Sequence, residues 1–136
     1  GFMKRMIMFF VAVVCVASFW QAFSPAQASA ADYWMYGTAD GTSYWADSNQ
    51  AWVVRGGGYR GLLKIVENNQ CVNRTMWHFT EDEGYLSAWD LSSNQPPIAI
   101  YAYPNHVGND PVEDRPELVA FYQWLTQNAQ RRSSWN

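Results

Sequence analysis

Few residues in this chain could do chemistry, and Cys71, His78 and His106 come first. A cysteine hydrolase needs a thiol and an imidazole within hydrogen-bond reach, with a third group to orient the base. On one strand, Cys71 and His78 are an odd number of residues apart and are expected on opposite faces. His106 stays open as a partner, but no oxyanion donor or orienting carboxylate can be assigned to it. Asp40, Asp47 and Asp90 could supply a glycosidase pair, as acids in almost any such chain could. The stretch "TEDEG" puts Glu81, Asp82 and Glu83 together without the alternating oxygen ligands of a calcium loop. Consecutive carboxylates there read as the solvated tip of a hairpin. Two histidines at unrelated positions do not make a zinc set. The expectation is therefore a protein that is not an enzyme, with no catalytic residue, metal or cofactor.

Two local motifs carry other chemistry. "GGGYRG" at Gly56–Gly61 satisfies the dinucleotide pattern G-x-G-x-x-G and follows a predicted strand. That pattern works only where a helix opens at the glycines and its N-terminus receives the pyrophosphate. Here "LLKIVE" comes next, which is strand-prone, so a glycine-rich hairpin loop is expected instead. "NRT" at Asn73–Thr75 matches an N-glycosylation sequon, but it falls inside a predicted strand.

The chain begins like an exported protein. Lys4 and Arg5 precede the apolar run "MIMFFVAVVCVASFW", and "SPAQASA" ends at Ala30 with small residues at the minus-three and minus-one positions. This predicts a signal peptide over 1–30, cut after Ala30 or alternatively Ala28, and one domain over 31–136. The apolar run is short for a bilayer span of about 20 residues, so no stable membrane span is expected after cleavage. Val14 before Cys15 argues against a lipid anchor. Cys15 leaves with the leader, so Cys71 is the one cysteine of the mature chain. One thiol makes no internal disulfide, so Cys71 is expected to be buried or bonded to another chain. Loss of Lys4 and Arg5 takes the formal net charge of −3 two units further negative. That argues against nucleic acid or an anionic lipid surface as partner.

Period-two patterns dominate the chain beyond the leader. Strands are predicted near Tyr33–Tyr36, Ser43–Asp47, Ala51–Arg55, Leu62–Glu67, Cys71–Phe79, Tyr85–Asp90 and Ile98–Tyr103. Between them lie the turn formers "GTADGT", "DSNQ", "GGGYRG", "ENNQ", "TEDEG" and "SSNQPP". Tight connections favour an antiparallel meander over crossovers. "DRPELVAFYQWLTQNAQ" then predicts a helix, with Asp114 as N-cap, Glu117 completing a capping box and Pro116 in the first turn. Leu118, Phe121, Tyr122, Leu125 and Ala129 share its apolar face, Val119 and Trp124 flank it, and "RRSSWN" reads as a frayed tail. "PNHVGNDPVEDR" between sheet and helix is long enough to be functional, although a spacer is the simpler reading. The fold class is α+β: an antiparallel β-meander of about six strands packed by one C-terminal α-helix.

The aromatic residues are harder to house. Trp34, Tyr36 and Trp45 alternate, but Tyr33 and Tyr44 fall on the other parity, and later strands repeat this doubling. One helix about 10 Å across covers two or three strands spaced about 4.8 Å apart. Ring surface left over must be hidden by curling of the sheet, by a second subunit in a possible homodimer, or by a ligand. Trp34, Tyr36, Tyr44 and Trp45 are the candidate binding residues on this view.

In its order of elements the chain resembles the surface-adhesin protein E family of small exported bacterial proteins. The likeness rests on "YWMYG", "DGTSYWAD" and "AWVV", then "CVNRTMWHF", an acidic turn at Gly84, "YLSAWD", a Pro-Pro loop and the final helix. Many members carry a second cysteine near the end of that helix, where "QNAQRRSSWN" has none, and the best-known adhesin has a lipid anchor. The resemblance implies an antiparallel sheet with a C-terminal helix, dimers in some members and binding of host extracellular proteins by at least one. It transfers no binding residue. The function expected is a non-catalytic binding or adhesin-like role outside the cytoplasm: periplasmic, cell-surface or secreted. Its partner would be an extracellular or envelope protein. A carbohydrate-binding module using exposed Tyr and Trp is the alternative, and a small hydrolase comes last.

Overall fold

The computed structural model describes residues 32–131, and the signal peptide expected over 1–30 lies outside the described residues. Six strands succeed one another as an antiparallel meander: β1 (Asp32–Gly37), β2 (Ser43–Val53), β3 (Tyr59–Glu67), β4 (Gln70–Asp82), β5 (Tyr85–Asp90) and β6 (Ile98–Ala102). The helix α1 (Pro116–Asn128) comes next, and a short strand β7 (Gln130–Arg131) pairs in parallel with β2. The α+β meander is thus the observed architecture. Gln130 and Arg131, expected in or beside a frayed end, are instead held by Trp52 and Val53. No helix among the described residues is long and apolar enough to cross a membrane.

One face of the sheet holds the main core. Ala46, Leu63, Trp77, Phe79, Leu86, Ala88 and Ile100 pack there against Leu118, Phe121 and Leu125 of the helix. The three helix residues have no solvent exposure, so the predicted apolar face is the one buried. Shortening any of them to alanine would cost about 2–5 kcal/mol. Gly61 lets the helix sit this close: a β-carbon there would lie 2.8 Å from Phe121 and 2.9 Å from Leu125.

The helix touches β1, β2, β3 and β6, so the first and last strands of the meander both reach it. A flat sheet could not do this. Strand twist supplies part of the curl, and bulges add to it. Register shifts occur between β1 and β2, within β2 against β3, between β3 and β4, and between β5 and β6. The curl hides most of the ring surface that a flat sheet would leave for a partner. Trp45, Trp77 and Tyr85 are buried, whereas Tyr33, Trp89 and Tyr101 keep substantial exposure.

Three local expectations are corrected. The predicted strands Ser43–Asp47 and Ala51–Arg55 merge into one strand that ends at Val53, because "DSNQ" forms a bulge between Ala46 and Ala51 and not a turn, and Val54 and Arg55 belong to the glycine turn. β4 extends through Glu81 and Asp82, so only Glu83 and Gly84 make the turn after it. The helix N-cap is Arg115 and not Asp114, with no side-chain cap. Pro116 sits at the helix start as predicted, and the Glu117 carboxylate accepts from Arg115 Nε at 2.7 Å instead of closing a capping box.

The connection from Pro104 to Arg115 is tied to the sheet along its length. Val107 N–H donates to Glu83, and Glu113 N–H donates to Ala99. The Tyr85 hydroxyl donates to the Gly108 carbonyl and accepts from Asp110 N–H, both at 3.1 Å.

Candidate functional site

At the end of the inner face where β4 runs out, the sheet and helix leave a cleft of about 630 Å³. Its walls are the glycine turn Gly56–Gly58, Tyr59, Phe79, Thr80, Glu81, Asp82 and Tyr122. Each wall has a cause in the local sequence. Gly56, Gly57 and Gly58 all take positive φ, which closes the β2–β3 hairpin and explains why three glycines stand in a row. The turn is held by Val54 N–H to Gly58 O and Gly57 N–H to Val54 O. A β-carbon at Gly56 or Gly57 would meet nothing, so that side of the cleft is bare backbone. Tyr59 and Phe79 are cross-strand partners, and Tyr122 lies against both rings.

Glu81 is the polar centre. Its Oε2 accepts from the Tyr103 hydroxyl at 2.9 Å and from the Tyr122 hydroxyl at 3.0 Å. No described residue donates to Oε1. Burial and the neighbouring Glu81 carboxylate push the Tyr122 phenol well above its ordinary value, and the Tyr103 phenol is raised for the same two reasons. Both therefore remain protonated donors at neutral pH and hold the carboxylate in one place. Tyr101 extends the aromatic rim, edge-on to Tyr103 at 5.0 Å.

The opposite end of the inner face carries a smaller cavity of about 220 Å³, lined by Tyr44, Asn73, Thr75, Trp77, Asp90, Arg115 and Glu117 among others. This one contains its own cation. The Arg115 guanidinium lies over the Trp77 ring at 5.7 Å, bonds Glu117 at 2.7 Å and reaches Glu113 at 3.7 Å. Asn73 of the sequon lines it too and accepts from Arg74 N–H.

The outer face holds most of the remaining residues singled out in the sequence. Trp45 is fully buried with Val66, and Trp34 and Cys71 pack against them. Trp34 and Trp45 line a hollow of about 240 Å³ beside the Thr38–Thr42 turn. Tyr36 and Tyr44 contact each other and are half-buried. Trp45 has no surface to offer a partner, and the four candidates divide between two faces of the sheet. Beside them, Lys64 is buried between Asp32 at 2.8 Å and Asp47 at 3.8 Å. Asp32 Oδ2 has no hydrogen-bond partner, and burial raises its carboxyl above the ordinary range despite Lys64.

Cys71 and His78 share the outer face, contrary to the parity expectation. The bulge at Val72, where Cys71 pairs with Val66 and Asn73 with Ile65, reverses the alternation. They still do not meet, since seven residues of strand separate them by about 20 Å. Burial and the charge of Arg60, its cross-strand neighbour, push the His78 imidazole below its ordinary range. His106 is at the far end of the sheet, packed on Tyr85, with Nδ1–H donating to the Tyr103 carbonyl. The three aspartates are dispersed as well. Asp40 accepts from Thr38 and Thr42 in the β1–β2 turn, which holds its carboxyl below the usual range. Asp47 faces Lys64, and Asp90 caps Ser92 N–H. Among the described residues no group of three or more His, Cys, Asp or Glu is placed to hold a metal ion.

Glu81, Tyr103 and Tyr122 escaped the sequence as a set because 22 and 41 residues separate the carboxylate from its two donors. Tyr122 on the predicted apolar face was the available signal, since a buried phenol needs a partner for its hydroxyl. No protein-family model, no curated protein and no solved structure matches this chain.

Proposed function

We propose that this chain is an exported, non-catalytic binding protein that holds its ligand in the Glu81 cleft, in the manner of an adhesin-like module of the cell envelope or surface. The cleft itself carries the proposal: an aromatic-walled opening with a single carboxylate fixed by two phenols. Binding sites commonly combine apolar walls with a few placed polar groups. Export is supported by the leader-like residues 1–30 and by the resemblance to exported adhesins. A non-catalytic role is supported by the dispersal of Cys71, His78 and His106, and of the aspartates.

The partner in this proposal is an extracellular or envelope protein. A glycan ranks second because stacking platforms for sugar rings are flat, whereas Tyr59 and Tyr122 meet edge to face at 84°. Blocking the cleft tests the reading. Gly57 has open space beyond it, so Gly57→Asn places a side chain in the opening, at a cost of about 1–3 kcal/mol because its φ of 122° lies outside the left-handed region that asparagine tolerates. A panel of extracellular-matrix proteins and glycans should show a ligand for the wild type that Gly57→Asn loses while its circular dichroism stays that of the folded chain. Equal retention of that ligand by both proteins would move the site elsewhere. Light scattering on the same samples reports whether a homodimer forms.

A further inference from the structure

We propose that the Glu81 cleft recognises an organic cation, the guanidinium of an arginine side chain presented by a protein partner. This rests on the binding role just argued and names its ligand chemistry. Charge is the first ground. The lining carries Glu81 and Asp82 and no lysine, arginine or histidine. The second ground is the rings. Tyr59 and Tyr122, both half-buried at the cleft, present ring surface that attracts a cation through its quadrupole, while Phe79 behind them has no exposure. The third is the bonding left open at Glu81. Tyr103 and Tyr122 use Oε2 alone, so Oε1 is the acceptor for an incoming N–H donor.

The protein supplies its own template for this contact. At the other end of the inner face, Arg115 lies over Trp77 with its Nε on Glu117. The Glu81 cleft repeats that pairing of aromatic ring and carboxylate, and the cation is what it lacks among its lining residues. A guanidinium fits better than an ammonium, because its plane stacks on a ring while its edge bonds a carboxylate. A planar head also suits a cleft whose glycine wall presents no side chain.

The test uses the intact chain, an arginine-containing peptide with otherwise neutral residues, and the same peptide with citrulline, which keeps the shape and removes the charge. Methylguanidinium serves as the free small cation. Binding is monitored by titration calorimetry and by chemical shifts of the Tyr59 and Tyr122 rings. The arginine peptide should bind saturably and the citrulline peptide at least tenfold more weakly. Glu81→Gln should lower arginine-peptide affinity at least tenfold while leaving the melting temperature nearly unchanged. Equal binding of both peptides, or equal binding by wild type and Glu81→Gln, would overturn the proposal. Methylguanidinium binding as tightly as the peptide would also overturn it, since the source would then be a free amine or guanidine and not a protein. A neutral saccharide that shifts the same rings while arginine does not would refute the cation and leave the binding role standing. If neither class shifts those rings, the binding role of the cleft falls with it.

Discussion

The two ends of the inner face are built from the same kinds of groups and differ in one charge. At the Trp77 end, Arg115 satisfies Glu117 and covers the ring, and what is left is a small cavity. At the Phe79 end, Glu81 is held by two neutral phenols and the opening is nearly three times larger, 630 against 220 Å³. Lys64 between Asp32 and Asp47 on the outer face conforms to the first pattern. Where this fold largely buries a carboxylate, at Asp32, Asp47 and Glu117, it brings a cation to it. Glu81 is oriented by two phenols with no cation beside it among the described residues, and that separates a site from a strut.

Removing an internal cation should therefore be costly, and most costly where burial is greatest. Lys64→Met leaves Asp32 and Asp47 facing each other with almost no solvent, at an expected cost of about 3–5 kcal/mol in urea denaturation. The deficit should shrink on acidification. A carboxyl held above its ordinary 3.8 favours the fold most below that value and progressively less as pH rises through its folded pKa. A variant as stable as wild type at pH 7 would show that the Lys64 cluster is not a strut.

Arg115 is about one-third exposed, so Arg115→Ala should cost less, about 2 kcal/mol. This substitution also turns the closed end into a copy of the open one. Added methylguanidinium should then restore part of the lost stability, and methylurea should not. If neither restores it, the ring–carboxylate pair at Trp77 does not select a cation, and the template for the Glu81 cleft is removed.

How much of this was legible in the sequence depends on whether a feature is local. The strands were, since alternation and turn formers are read within a few residues, and so were Leu118, Phe121 and Leu125 as the buried face of the helix. Bulges were not. "DSNQ" has the composition of a turn yet bulges within one strand, and the extra residue at Val72 moved Cys71 to the face of His78. Strand spacing on a flat sheet leaves ring surface over, whereas the curl brings β1 and β6 both to the helix. The cleft was illegible for a related reason. Tyr59, Glu81, Tyr103 and Tyr122 belong to four separate segments, and Glu81 had the neighbours of a turn residue although β4 runs on past its last ring.

A smaller effect is expected at the phenols. Tyr122→Phe removes one donor to Glu81 and should cost about 1 kcal/mol, with Tyr103 still bonded to the same oxygen. The alkaline limb of stability should change with it. A phenol raised above its ordinary 10.0 stabilises the fold fully below that pH and loses the contribution as pH rises toward its folded value. Wild-type stability should therefore fall above about pH 10 more steeply than that of Tyr122→Phe, as read from melting temperature against pH.

Glu81→Gln should have the smallest effect on the fold and the clearest effect on titration. The amide oxygen still accepts from Tyr103 and Tyr122 on an exposed strand end, so stability at pH 7 should stay within about 0.5 kcal/mol of wild type. Losing the carboxylate removes its repulsion of both phenolates but leaves their burial, which is the larger cause of their raised values. Both phenols should then ionise at lower pH than in the wild type while staying above 10.0, seen as an earlier rise in phenolate absorbance. An unshifted rise would mean that Glu81 does not sit against these rings. A carboxylate that the two phenols do not fix is not the placed acceptor a guanidinium needs, so this titration, done with no ligand present, tests the arrangement on which the cleft depends.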